Sequence, residues 1–170
     1  RENQTHNNLY EDRSYYYVTN IGGVGKRVAP MVEIAGNGNV INVVDGYHFY
    51  EKDLYNLGRL GRTWFGDQFG IDNIKTFEFS IPNIDVTQSM QLTINAAYTG
   101  MQSSSFQVEV NDNNAGTINF GDTGDSYYID AMREFSVNAS EDIAIKLTYD
   151  NSGIPSNRGY LDFLALKTKL

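Results

Sequence analysis

The stretch Ser89-Met90-Gln91-Leu92-Thr93-Ile94-Asn95-Ala96-Ala97-Tyr98-Thr99 alternates apolar and polar residues. Successive side chains of an extended chain point to opposite faces, so Leu92, Ile94, Ala96 and Tyr98 share one face while Gln91, Thr93 and Asn95 share the other. The same period of two recurs nearby. Phe106, Val108 and Val110 alternate with Gln107 and Glu109 over Ser104–Val110, and Ile143, Ile145, Leu147 and Tyr149 alternate with Lys146 and Thr148 over Asp142–Tyr149. Phe77, Phe79 and Ile81 alternate with Thr76, Glu78 and Ser80. A strand that is greasy on one face only needs a second layer against that face, which is the pattern of stacked antiparallel sheets.

Working outward, further strands are expected over 15–19, Arg27–Ile34, Val40–Val44, Tyr47–Leu54, Gly116–Phe120, Met132–Val137 and Tyr160–Lys167. The last of these is apolar almost throughout, so it is expected at the centre of a sheet, covered on both faces. Turn-forming clusters punctuate the runs: Gly36-Asn37-Gly38-Asn39, Asp45-Gly46, Asp112-Asn113-Asn114, Gly121-Asp122-Thr123-Gly124 and Asp150-Asn151-Ser152-Gly153. No segment has a helical period and no internal repeat is present. The expected architecture is all-β: an antiparallel two-sheet sandwich, jelly-roll-like, of about ten strands. Residues 1–14 read as a polar arm and 15–170 as a single domain.

Composition narrows the function classes. Twelve Tyr and 9 Phe in 170 residues are too many aromatic side chains for a disordered chain and suit pleated, half-buried surfaces. A net charge of −8 with 13 Lys and Arg spread along the chain argues against a nucleic-acid partner, which needs concentrated cations to neutralise phosphates. No run reaches the length of apolar residues that a membrane helix requires, so membrane insertion is not expected. The absence of Cys excludes disulfides, zinc–thiolate sites and thiol catalysis. Arg1 is not a natural start, so the chain is expected to be a fragment of a larger protein. Sparse charge with abundant Asn, Ser, Thr and Tyr suits an exported one.

Several constellations invite chemistry. His48 lies between Tyr47 and Phe49 and His6 in the polar arm, but no Gly-x-Ser-x-Gly elbow accompanies them. Glu51 and Asp53, two apart, would share one face of a strand; paired carboxylates that hydrolyse glycosides flank a cleft from separate elements, so these read as surface or ion-paired groups. Asp112, Asp122 and Asp125 sit in oxygen-rich turns and are the candidates for a structural calcium, although none matches an EF-hand loop; no other cofactor is expected. Gly22-Gly23-Val24-Gly25-Lys26 lacks the spacing of a phosphate-binding loop and reads as a turn. Trp64 is the lone Trp. It invites a carbohydrate-binding reading, in which an aromatic platform stacks on a sugar, or a structural one, in which Trp64 and Phe65 plug one end of the sandwich.

The same region carries a resemblance. Tyr50-Glu51-Lys52-Asp53-Leu54-Tyr55-Asn56-Leu57-Gly58, followed by Gly61-Arg62-Thr63-Trp64-Phe65-Gly66-Asp67-Gln68-Phe69, resembles the N-terminal region of the type IX secretion system sortase (PorU) family. Leu60 stands where that family usually has Ser, and Asp67 where it has Glu. The order continues through Phe77–Asn83, Ala96-Ala97, Ser103–Asn111 and Gly159-Tyr160-Leu161-Asp162-Phe163. The resemblance implies a β-sandwich joined to a downstream gingipain-like cysteine peptidase domain. Such proteins act at the outer membrane, removing sorting signals from secreted cargo and attaching that cargo to the cell surface. The family's catalytic Cys and His belong to the peptidase domain and have no counterpart here. The chain is therefore expected to be non-catalytic, with the peptidase domain and secretion-system proteins as partners. Glu51, Asp53, Asn56, Arg62, Trp64, Phe65 and Gly66 are expected to gather at one edge, either bracing the fold or facing that partner.

Overall fold

The computed structural model describes residues 17–18, 22–23, 25, 27–30, 43–59 and 63–170. Among them are nine strands and no helix: β1 (Asp45–Glu51), β2 (Gln68–Phe69), β3 (Ile74–Ser80), β4 (Ser89–Thr99), β5 (Ser104–Val110), β6 (Asn113–Phe120), β7 (Ile129–Asn138), β8 (Asp142–Asp150) and β9 (Arg158–Lys169). Two antiparallel sheets form. One has the order β1-β9-β4-β7, with β2 also paired to β9; the other has the order β3-β8-β5-β6.

The alternating runs become the walls of the core, because burying one face of each sheet removes its apolar side chains from water. Leu92, Ile94, Ala96 and Tyr98 from β4 meet Phe106, Val108, Ile143, Ile145 and Leu147 from β5 and β8, all essentially inaccessible. Phe106 anchors the interior, edge-on to Phe69 at 4.9 Å and tilted against Tyr149 at 4.9 Å.

β9 is central, between β1 and β4. Its apolar run does not simply alternate. Asn95 pairs with Phe163 but Ala96 with Leu161, leaving Asp162 as an extra residue in a β-bulge. The bulge resets the phase, so Leu161 and Leu164 both enter the core while Asp162 and Phe163 both lie on the outer face.

Some expected strands differ. Residues 27–30 and Val43–Val44 are not in strands, although Val44 exchanges two backbone hydrogen bonds with Leu170 just ahead of β1. The expectation over 15–19 meets only Tyr17 and Val18 among the described residues, neither in a strand. The rest of the expected N-terminal strands, and the arm at 1–14, lie outside the described residues. The two-residue β2 has too short a pattern to be read from sequence.

Candidate functional site

The outer face of the five-stranded sheet is laid out in rows by its registers, since paired residues project to the same side. Reading from β1 across β9 and β4 to β7, one row is Tyr47, Lys167, Gln91 and Ser136. The next is Phe49, Ala165, Thr93 and Glu134, and the third is Glu51, Phe163, Asn95 and Met132. Along one side of this array runs an aromatic stack: Tyr47 on Phe49 at 6.1 Å and Phe49 on Phe163 at 5.3 Å.

Beyond the third row the face is covered by the segment that follows β1. Tyr55 and Phe65 pair across it, with Phe65 N–H donating to the Tyr55 carbonyl at 2.8 Å and Tyr55 N–H to the Phe65 carbonyl at 2.8 Å. This flap presses Phe65, fully buried, onto Ala97 and Tyr160, edge-on to Tyr128 at 5.2 Å. Asp67 ties the flap to β1: it accepts from Tyr50 Oη at 2.6 Å and from Lys52 Nζ at 3.3 Å. The chain then joins β9, with Gly66 N–H donating to the Leu161 carbonyl at 2.6 Å and Leu161 N–H to the Asp67 carbonyl at 3.0 Å. Gly66 is required here: a Cβ would lie 2.6 Å from the Lys52 carbonyl oxygen. Four residues after Phe65, Phe69 enters the interior. Phe65 therefore caps the outside of the sheet instead of plugging an end of the sandwich.

At the border of the flap sits Asp162, aimed outward by the bulge. Its Oδ2 accepts a hydrogen bond from Asn95 Nδ2 at 2.7 Å. Burial pushes the carboxyl up to about 6, and the negative charges of Glu51, Asp53 and Asp130 push it the same way, against the hydrogen bond from Asn95, which lowers it. Asp162 and Asn95 are not among the residues expected at the site; in sequence Asp162 stands out as a lone carboxylate inside the apolar run Tyr160–Leu166 and as a member of the resembling block Gly159–Phe163.

The structure places the expected site residues as follows. Glu51, Asp53 and Asn56 are half-buried and lie along β1 and the flap with Phe65 and Gly66. β1 ends at Glu51, so Asp53 does not share a strand face with it, although both carboxylates act on Asp162. Trp64 is half-buried, and its indole nitrogen is shielded from solvent without a hydrogen-bond partner among the described residues. Its ring is not an open platform. Arg62 and His6 lie outside the described residues, and His48 is half-buried on β1 opposite Leu166. The calcium candidates are not brought together: Asp112 is in the β5–β6 turn, while Asp122 and Asp125 are in the β6–β7 loop at the other end of β6. Asp122 accepts instead from Gly124 N–H at 2.9 Å, an Asx turn. Among the described residues no three His, Cys, Asp or Glu side chains group as a metal would require.

No protein-family model and no curated protein matches the sequence. Solved structures do. PorU from Porphyromonas gingivalis, in a dimeric latent form, is similar with a TM-score of 0.63 and 17% identity, over 76% of this chain and 13% of that one. The CBM36-1 domain of a multidomain xylanase from the hindgut metagenome of Trinervitermes trinervoides gives 0.49 and 10%, over 72% and 96%. A carbohydrate-binding module CBM36 in complex with calcium and xylotriose gives 0.43 and 14%, over 73% and 98%. At these identities the likeness is one of fold: a β-sandwich that spans a small part of PorU's length.

Proposed function

We propose that this chain is a non-catalytic docking and support module of a larger exported protein of the type IX secretion sortase kind, acting at the outer membrane or cell surface. The observation that carries this reading is a convergence. The blocks that resemble that family, the neighbouring Tyr50–Asn56 and Thr63–Phe69 and the distant Gly159–Phe163, meet in one structure, the flap laid over the start of β9. The close passage at Gly66 and the burial of Phe65 are the physical content of the shared residues, and Asp67, which stands where the family has Glu, ties them to Tyr50 and Lys52 with a carboxylate of its own. The fold likeness to part of PorU supports the same reading.

The chain has no cysteine, so a thiol nucleophile must come from elsewhere in such a protein. The module's role is then to hold the peptidase or to meet secretion partners. The gene downstream of Leu170 should encode a peptidase domain with a His and Cys pair, and in-frame deletion of residues 43–170 should leave secreted cargo unprocessed. A gene without such a domain, or normal processing after the deletion, overturns the proposal.

A further inference from the structure

We infer that the lower outer face of the five-stranded sheet is a binding site for a neutral oligosaccharide, independent of the docking role. A cleft of about 460 Å³ opens over β9, β4 and β7, within the range of small-ligand sites. The side chains standing on it are Gln91, Glu134, Ser136 and Lys167, joined at its end by Ser89 and by Lys169 with Asp45. Met90, Phe135 and Thr168, which also border it, direct their side chains to the opposite face by strand alternation. Their peptide backbone therefore forms the floor.

The chemistry of the wall selects the ligand. No large apolar side chain stands in the cleft, which disfavours a lipid chain or a greasy peptide. Lys169 is paired with Asp45, and Glu134 accepts from Gln91 Nε2 at 2.9 Å. The two lysines face two carboxylates, so there is no excess of cation for a phosphate or nucleic acid. What remains is a dense set of donors and acceptors: the Lys167 ammonium, the Gln91 carbonyl, the Glu134 carboxylate and two serine hydroxyls. That set matches the alternating donors and acceptors of sugar hydroxyls.

Beside the cleft, next to its lining residue Lys167, β1 supplies a second element. Tyr47 is the cross-strand partner of Lys167, is 51% exposed and begins the stack that continues through Phe49. An aromatic bank beside a polar floor suits a pyranose, which has C–H faces and hydroxyl edges. Trp64, half-buried in the flap, is not part of this site.

Calorimetric titration of the chain with a panel of neutral gluco-, galacto-, manno- and xylo-oligosaccharides, with amide-shift mapping, tests the inference. Saturable binding of at least one class is expected, with shifts centred on Gln91, Glu134 and Lys167. Gln91→Ala and Glu134→Ala, both on the exposed face, should weaken it about tenfold or more without moving the melting temperature appreciably, and Trp64→Phe should leave it intact. No binding at millimolar ligand, binding confined to anionic glycans, or binding indifferent to both alanine variants overturns it. Failure here leaves cargo processing, the readout of the docking role, untouched.

Discussion

Asp162 shows how one backbone irregularity decides a residue's chemistry. The bulge turns its carboxyl onto a face already carrying Glu51, Asp53 and Asp130, half out of water. Its pKa of about 6 lies above the unfolded value of 3.8, so between these values the folded state binds more protons. Stability from this group is therefore greatest below the unfolded pKa and is lost as pH rises through about 6. Asp162→Asn keeps an acceptor for Asn95 and removes the charge. At pH 7 it should raise stability by about 1–3 kcal/mol, the full shift being discounted for partial solvent access. The gain should shrink toward pH 4 in denaturant titrations; a gain constant across that range contradicts the assignment. At Gly66 the constraint is steric. The nearest obstacle to a Cβ is the Lys52 carbonyl at 2.6 Å, backbone that cannot swing aside, so Gly66→Ala should cost about 1–3 kcal/mol in chemical unfolding.

Among the elements, the β5–β6 hairpin turns on Asn111 and Asp112, with φ of 48° and 61°, the left-handed pair that a tight hairpin demands. The two residues are not equivalent. The Asn111 side chain accepts from Ala144 N–H at 2.8 Å and donates to the Asp142 carbonyl at 3.0 Å, fastening the turn to β8. Asp112→Gly should relieve the backbone and stabilise by about 0.5–1 kcal/mol, whereas Asn111→Gly should destabilise because it removes both bonds. Equal effects in thermal melts contradict this account. β4 and β5 were legible to the residue, since each has a buried face and a wet one. β9 was legible as central but not in phase, because a bulge depends on the partner strand. β2 was not legible at all: two residues carry no period.

For the whole molecule, the governing fact is that β1, the first described strand, pairs along its full length with β9, the last. β9 also carries β2 and β4, so the larger sheet cannot close until β9 is present. Folding should follow the slow, millisecond-to-second course of non-local β proteins, read by stopped-flow fluorescence. Deleting 158–170 should abolish cooperative unfolding altogether; a truncated chain with a sharp melting transition would contradict the central place given to β9. The candidate sites divide at this scale too. The flap residues were visible as a motif, but the polar cleft on the outer face was not, since Gln91, Glu134 and Lys167 come from three strands and look in sequence like ordinary solvent-facing positions.

The sequence by itself determined the two-layer β architecture, because period-two burial is a local property, and it excluded thiol chemistry because no Cys is present. Only the tertiary structure decided which wet residues stand together, which way Asp162 points and what Phe65 covers. Those depend on strand order, register and one bulge, which arise from pairing between distant segments and leave no periodic trace in any one of them.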